Sequence, residues 1–82
     1  MSGQSESKMI AFYANYVVVG HNAFEFVIDF GQMYEGANEP RMHTRIVTTP
    51  VHVKAMLDTL RDAIEAFEAA HGRIPNVQEK RP

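Results

Sequence analysis

Cysteine and tryptophan are absent from this 82-residue chain, and neither sign of charge is in large excess: 8 lysines and arginines against 10 acidic residues leave a formal net charge of -2. Without cysteine there is no disulfide framework, no Cys-type zinc site and no thiol nucleophile. No apolar run approaches the ~18 residues that crossing a membrane requires. A net charge so near zero argues against a general polyanion binder. The start, Met1 to Lys8, lacks the basic opening and apolar stretch of a signal peptide, so a cytoplasmic protein is predicted.

Catalytic patterns are missing too. The four histidines, His21, His43, His52 and His71, show no i,i+4 pair and no HExxH motif, so neither a metal nor a cofactor is predicted. Ser2, Ser5 and Ser7 all fall in the polar start, where no base can be held against them. No GxSxG, Walker loop or GxGxxG occurs. Glu25 and Asp29 lie in strand-like sequence opposite arginines, without the enclosed pocket that tunes carboxylates for proton transfer. The expectation is a non-enzymatic protein.

What is present is a globular composition, 45% hydrophobic and 22% charged, in a chain too short for more than one thin-cored domain. The Ser/Gln/Gly-rich segment 1–9 and the segment 75–82 hold few apolar residues and are predicted to be mobile tails. Residues 10–74 are then predicted to form a single β-β-β-α domain. That is an α+β fold: a three-stranded antiparallel β-meander followed by one long C-terminal amphipathic helix.

The run from Ile10 to Val19 is rich in β-branched and aromatic residues, and Gly20-His21-Asn22 separates it from a second such run, Ala23 to Phe30. Taking Gly20 to Asn22 as the loop places Val19 opposite Ala23, Val18 opposite Phe24 and Tyr16 opposite Phe26. One face then gathers the aromatic residues, and the other carries Tyr13, Asn15 and Val17 with Glu25, Val27 and Asp29. A turn-rich loop, Gly31 to Pro40, leads to a third strand, Arg41 to Thr48. Its Met42, Thr44, Ile46 and Thr48 match the aromatic face. Arg41, His43 and Arg45 join Glu25 and Asp29, so cross-strand ion pairs are expected, worth only ~0.2–1 kcal/mol each when exposed.

Thr49-Pro50 is a helix start, a capping hydroxyl followed by a proline suited to the first turn. Val53, Met56, Leu57, Leu60, Ile64 and Phe67 then recur at the spacing of one helical face, and Gly72 is placed to stop the helix. About 22 residues make a helix of roughly 33 Å, longer than the ~20 Å of a six-residue strand. The overhanging stripe predicts a second copy, with Met56, Leu60, Ile64 and Phe67 at the oligomer interface. A homodimer is expected.

The surface with most to offer a partner is the sheet face predicted to carry Tyr13, Asn15, Val17, Glu25, Val27, Arg41, His43 and Arg45. Its arginines and tyrosine suit stacked bases and phosphates, and nucleic acid is the alternative partner. Glu25 and Asp29 oppose a phosphate backbone, while the valines suit another protein, which is the favoured expectation.

Three segments, Tyr13-Ala-Asn-Tyr-Val17, Phe26-Val-Ile-Asp-Phe-Gly-Gln32 and Pro40-Arg-Met-His-Thr-Arg-Ile-Val47, with Thr49-Pro50 and Gly72, give the chain a recognisable look. It resembles a family of small, uncharacterised prokaryotic and phage proteins classed as a domain of unknown function. That resemblance implies a shared fold and brings no activity, catalytic residue or ligand. The order of strands and helix is also similar to the SecB-type export chaperone subunit, which has four strands where three are predicted here. This likeness implies a chaperone-like or adaptor role, by analogy of fold.

Overall fold

Asn22 decides how the first two strands meet. Its side-chain oxygen accepts from the Phe24 and Glu25 N–H groups at 2.7 and 2.9 Å, and its own N–H donates to the Glu25 carbonyl at 3.0 Å. Residues 22–25 thus form a tight turn stapled by an asparagine side chain, the local bond that favours this residue in turns. Strand β1, Tyr16–His21, ends at that turn, and β2, Phe26–Gln32, begins after it. In the computed structural model, residues 9–77 are described. Of the expected tails, 1–9 and 75–82, residues 1–8 and 78–82 lie outside the described residues.

The three strands form one antiparallel sheet in the order β1-β2-β3, with β3 spanning Arg41–Thr48 as expected from the alternation of its residues. The register between β1 and β2 corrects the sequence expectation. Val19 lies opposite Ile28, Val17 opposite Phe30 and His21 opposite Phe26. The pairing has moved five residues along β2 relative to a loop at Gly20–Asn22, because the turn sits at Asn22–Glu25 and Gly20 and His21 remain in the strand. An odd shift exchanges the two faces of β1. Val17 and Val19 therefore join Phe26, Ile28 and Phe30, while Tyr16 and Val18 join Asp29.

Pairing of β2 with β3 follows the expected faces. Phe26, Ile28 and Phe30 lie opposite Thr48, Ile46 and Thr44, and on the other side Val27 and Asp29 lie opposite Val47 and Arg45. Beyond Phe30 the register slips, so that Gly31 faces Met42 and His43 is left as the extra residue of a bulge. The slip places the Met42 side chain over Gly31: a Cβ on that glycine would stand 2.6 Å from Met42 Sδ and 2.7 Å from the Arg41 carbonyl oxygen. Glycine is required there by the close approach of two strands. Met42 thereby departs from the aromatic face to which simple alternation assigned it.

The sheet's centre is Ile28 on the middle strand, between Val19 and Ile46, and it is 5% exposed. Among the described residues no other hydrophobic side chain is buried.

The chain divides into two compact units at Thr48/Thr49. The second unit is built on helix α1, Pro50–His71, whose 22 residues match the extent that the apolar periodicity predicts. Thr49 caps it: Thr49 Oγ1 accepts from the His52 N–H at 3.2 Å, and Pro50 needs no partner for a missing N–H. At the far end Gly72 takes a φ of 100°, and its N–H donates to the Glu68 carbonyl at 2.9 Å. Glu68 serves twice, since its carboxylate accepts from the Ile74 N–H at 2.9 Å. The helix has no buried residue, and its stripe from Met56 to Phe67 is exposed.

Candidate functional site

Residues that the sequence places on one interaction face are dispersed by the structure. Val27 and Arg45 share the face of Asp29, as expected. Val17 has passed to the opposite face with Phe30, a consequence of the shifted register. Tyr13 and Asn15 precede β1, Glu25 closes the Asn22 turn, and Arg41 opens β3 opposite Gln32.

The charged centre of the sheet is the pair Asp29–Arg45. Directly opposite each other on β2 and β3, they form two parallel bonds, Arg45 Nε to Asp29 Oδ1 at 2.8 Å and Arg45 Nη2 to Asp29 Oδ2 at 2.9 Å. A planar guanidinium matches a carboxylate in this two-bond geometry. The hydrogen bond from Arg45, aided by its charge, holds the Asp29 carboxyl below its ordinary pKa and raises that of Arg45. With both carboxylate oxygens engaged, Asp29 is committed to its arginine. A shallow concavity beside the pair is lined by Asp29, Met42, His43, Thr44 and Arg45.

His43, freed from the ladder by the bulge, bonds at both ring nitrogens. Nε2 lies 3.0 Å from the Tyr13 carbonyl, and Nδ1 lies 2.6 Å from Thr44 Oγ1. A carbonyl can only accept, so Nε2 carries the proton, and in the neutral ring Nδ1 accepts from the threonine hydroxyl. Phe12 stacks on the imidazole with ring centroids 5.2 Å apart. The segment before β1 is thus held against β3, and a second concavity of about 410 Å³ is lined by Ile10, Phe12, Ala14, Phe30, His43 and Thr44.

Asn15 is a latch. Its N–H donates to the Gly31 carbonyl at 3.0 Å, its side-chain oxygen accepts from the Met33 N–H at 2.8 Å, and its side-chain nitrogen donates to the Met33 carbonyl at 3.3 Å. The amide imitates a backbone group and carries the ladder past the end of β2. Neither this role nor those of Asn22 and Gly31 emerged from reading the faces. Two of them left a signal: Asn22 as an asparagine at a turn, and Gly31 as a lone glycine inside an apolar strand run.

Among the described residues no three histidine, aspartate or glutamate side chains converge as metal ligands, and no helix is long and apolar enough to cross a membrane. The predicted oligomer residues Met56, Leu60, Ile64 and Phe67 do share one exposed stripe of α1, and Phe67 contacts His71 with ring centroids 4.8 Å apart.

One antiparallel three-stranded sheet with a C-terminal helix defines an α+β protein. The chain belongs to the family described as "Protein of unknown function (DUF3467)", whose profile matches residues 3–76. No curated protein and no solved structure matches it.

Proposed function

We propose that this protein is a non-enzymatic interaction module that assembles with copies of itself and offers a sheet face to another protein. The observation that carries this reading is how little each unit buries: among the described residues the sheet has one buried hydrophobic side chain, Ile28, and the helix has none. Val17, Val19 and Ile46 lie on one face of the sheet and Val18, Val27 and Val47 on the other. One helix supplies one apolar stripe, and a single stripe covers one face at most. Some apolar surface is therefore left for a partner in any arrangement of a single chain. Small domains without disulfide or metal commonly gain that cover by association.

An adaptor, or a SecB-like chaperone holding an extended segment, is the specific form of this role. Open sheet edges accept strands, and apolar faces accept their side chains. A nucleic-acid-associated regulator using Tyr13, Arg41, His43 and Arg45 is the competing reading. It is less well supported, because Arg45 already spends two donors on Asp29 and His43 is engaged at both nitrogens.

Light scattering over a dilution series, with absorbance at 260 and 280 nm on the same peak, tests the proposal. A mass that is a multiple of 9.3 kDa with a protein-like absorbance ratio is expected. A monomer at every concentration overturns self-association, and a nucleic-acid absorbance ratio transfers support to the regulator.

A further inference from the structure

The two outer edges of the sheet are built in opposite ways. At β3, Pro40 precedes the strand, Arg41 and Arg45 flank a bulge at His43, and Phe12 and Tyr13 lie against that histidine. Proline, charge and bulges are the devices that stop a sheet edge from pairing with another chain. β1 has none of them. Its sequence, Tyr-Val-Val-Val-Gly-His over Tyr16–His21, contains no proline and no lysine, arginine, aspartate or glutamate, and all six residues are exposed. Among the described residues no strand lies beyond it.

Which backbone groups β1 offers follows from its turn. Asn22 donates its N–H to Glu25, its opposite number in the register. Inward-pointing residues alternate along an antiparallel strand, so Gly20, Val18 and Tyr16 also direct their N–H and C=O to β2. Val17, Val19 and His21 direct theirs to the open edge, and two of the three bear β-branched side chains suited to a strand pair.

We infer that β1 is the edge at which two copies of this chain join, β1 against β1 in antiparallel order, extending the sheet from three strands to six. The second copy is favoured as the occupant because the edge is complementary to itself. It carries no fixed charge to repel its own image, and a twofold axis brings the outward groups of Val17, Val19 and His21 onto the same groups of the partner. That alternation allows the axis to pass through Val18 or through Val19, and not between them. An axis between them would set outward-pointing backbone groups against inward-pointing ones. This inference rests on the proposed self-association and specifies where it occurs.

The absence of cysteine makes the test direct, since a single introduced thiol has no other in its own chain to pair with. Val18→Cys and Val19→Cys place two thiols across the axis, at Cα separations of about 4.5 and 5.5 Å respectively for the two permitted registers. Both separations suit a disulfide. Mild oxidation should convert at least one of these variants to a covalent dimer, while Val47→Cys, on β3, stays monomeric on a non-reducing gel. Val19→Pro removes an outward N–H and spares the bonds to β2, so its far-UV circular dichroism should match the wild type while association weakens about 100-fold or more. Val19→Lys adds an edge charge without touching the backbone, and carries the test if the proline variant unfolds.

A dimer whose mass survives Val19→Lys, or thiols that link through Val47→Cys and not through Val18→Cys or Val19→Cys, overturns the assignment while leaving self-association intact. A wild-type monomer at every concentration overturns both, and is also the result expected if a strand of a different protein is the natural occupant.

Discussion

Gly31 shows how much of this sheet depends on single positions. A Cβ there meets a flexible Met42 side chain, which can move, and the Arg41 carbonyl, which belongs to a paired strand and cannot move without disturbing the ladder. Gly31→Ala should therefore destabilise by ~1–3 kcal/mol, the usual cost of forcing atoms into an occupied site. Gly20→Ala, where nothing lies within 4 Å, should be tolerated. Urea denaturation of the two variants side by side checks the contrast, and adding Met42→Ala should not restore the Gly31 variant, since the carbonyl clash persists. Asn15→Ala removes both side-chain bonds to Met33 and should cost about 1 kcal/mol, since each exposed bond contributes modestly. Asp29 adds a pH dependence. Its pKa is lowered in the folded chain by the Arg45 hydrogen bond, so the pair's contribution is complete above the unfolded-state value and is lost as pH falls through the folded one. Carboxyl NMR of wild type against Arg45→Met should show the Asp29 midpoint rising toward the ordinary 3.8 in the variant. An unchanged midpoint would mean that the two-bond geometry is not kept in solution.

Elements were more legible than the way they join. Helix α1 was readable almost to the residue, because its cap, stripe and stop are local signals: Thr49, the recurrence from Val53 to Phe67, and Gly72. Thr49→Ala should cost ~1 kcal/mol through loss of the His52 N–H bond, visible as a lower melting temperature. The extent of β3 was legible as well, and so were its faces from Thr44 to Thr48, where two-residue alternation sets Thr44, Ile46 and Thr48 against Phe30, Ile28 and Phe26; Met42 was not. The hairpin was not. Gly-His-Asn reads as a turn by composition, yet the decisive chemistry is the Asn22 side-chain oxygen stapling the Phe24 and Glu25 N–H groups, which starts the turn at the last residue of that tripeptide. Once the register is moved by an odd number, every β1 assignment changes face, and the expected interaction surface loses Val17. The bulge at His43 was equally hidden, since it arises from Gly31 meeting Met42 across strands and not from any pattern within β3.

At the scale of the whole molecule the difficulty is a shortage of interior. Folding must offset a large loss of conformational entropy, and apolar burial is the main favourable term set against it. Among the described residues Ile28 is the one buried hydrophobic side chain, and the proposed association would bury more. If association supplies the missing burial, stability must depend on protein concentration, because dissociation and unfolding are then linked by mass action. The melting temperature should therefore rise over a dilution series read upward, in parallel with the mass. Phe67, 49% exposed at the end of the helical stripe, separates the two surfaces involved. Phe67→Asp introduces a charge on the helix and leaves the sequence of β1 unchanged. If the helix stripe belongs to the assembly, this variant should lose both mass and melting temperature. If it keeps both at their wild-type values, Phe67 contributes to neither core nor interface, and association must run through the sheet alone. Combining Phe67→Asp with Val19→Lys then resolves the remaining case: two independent interfaces should show losses that add, whereas one continuous interface should be lost to either substitution, leaving the second with nothing further to remove.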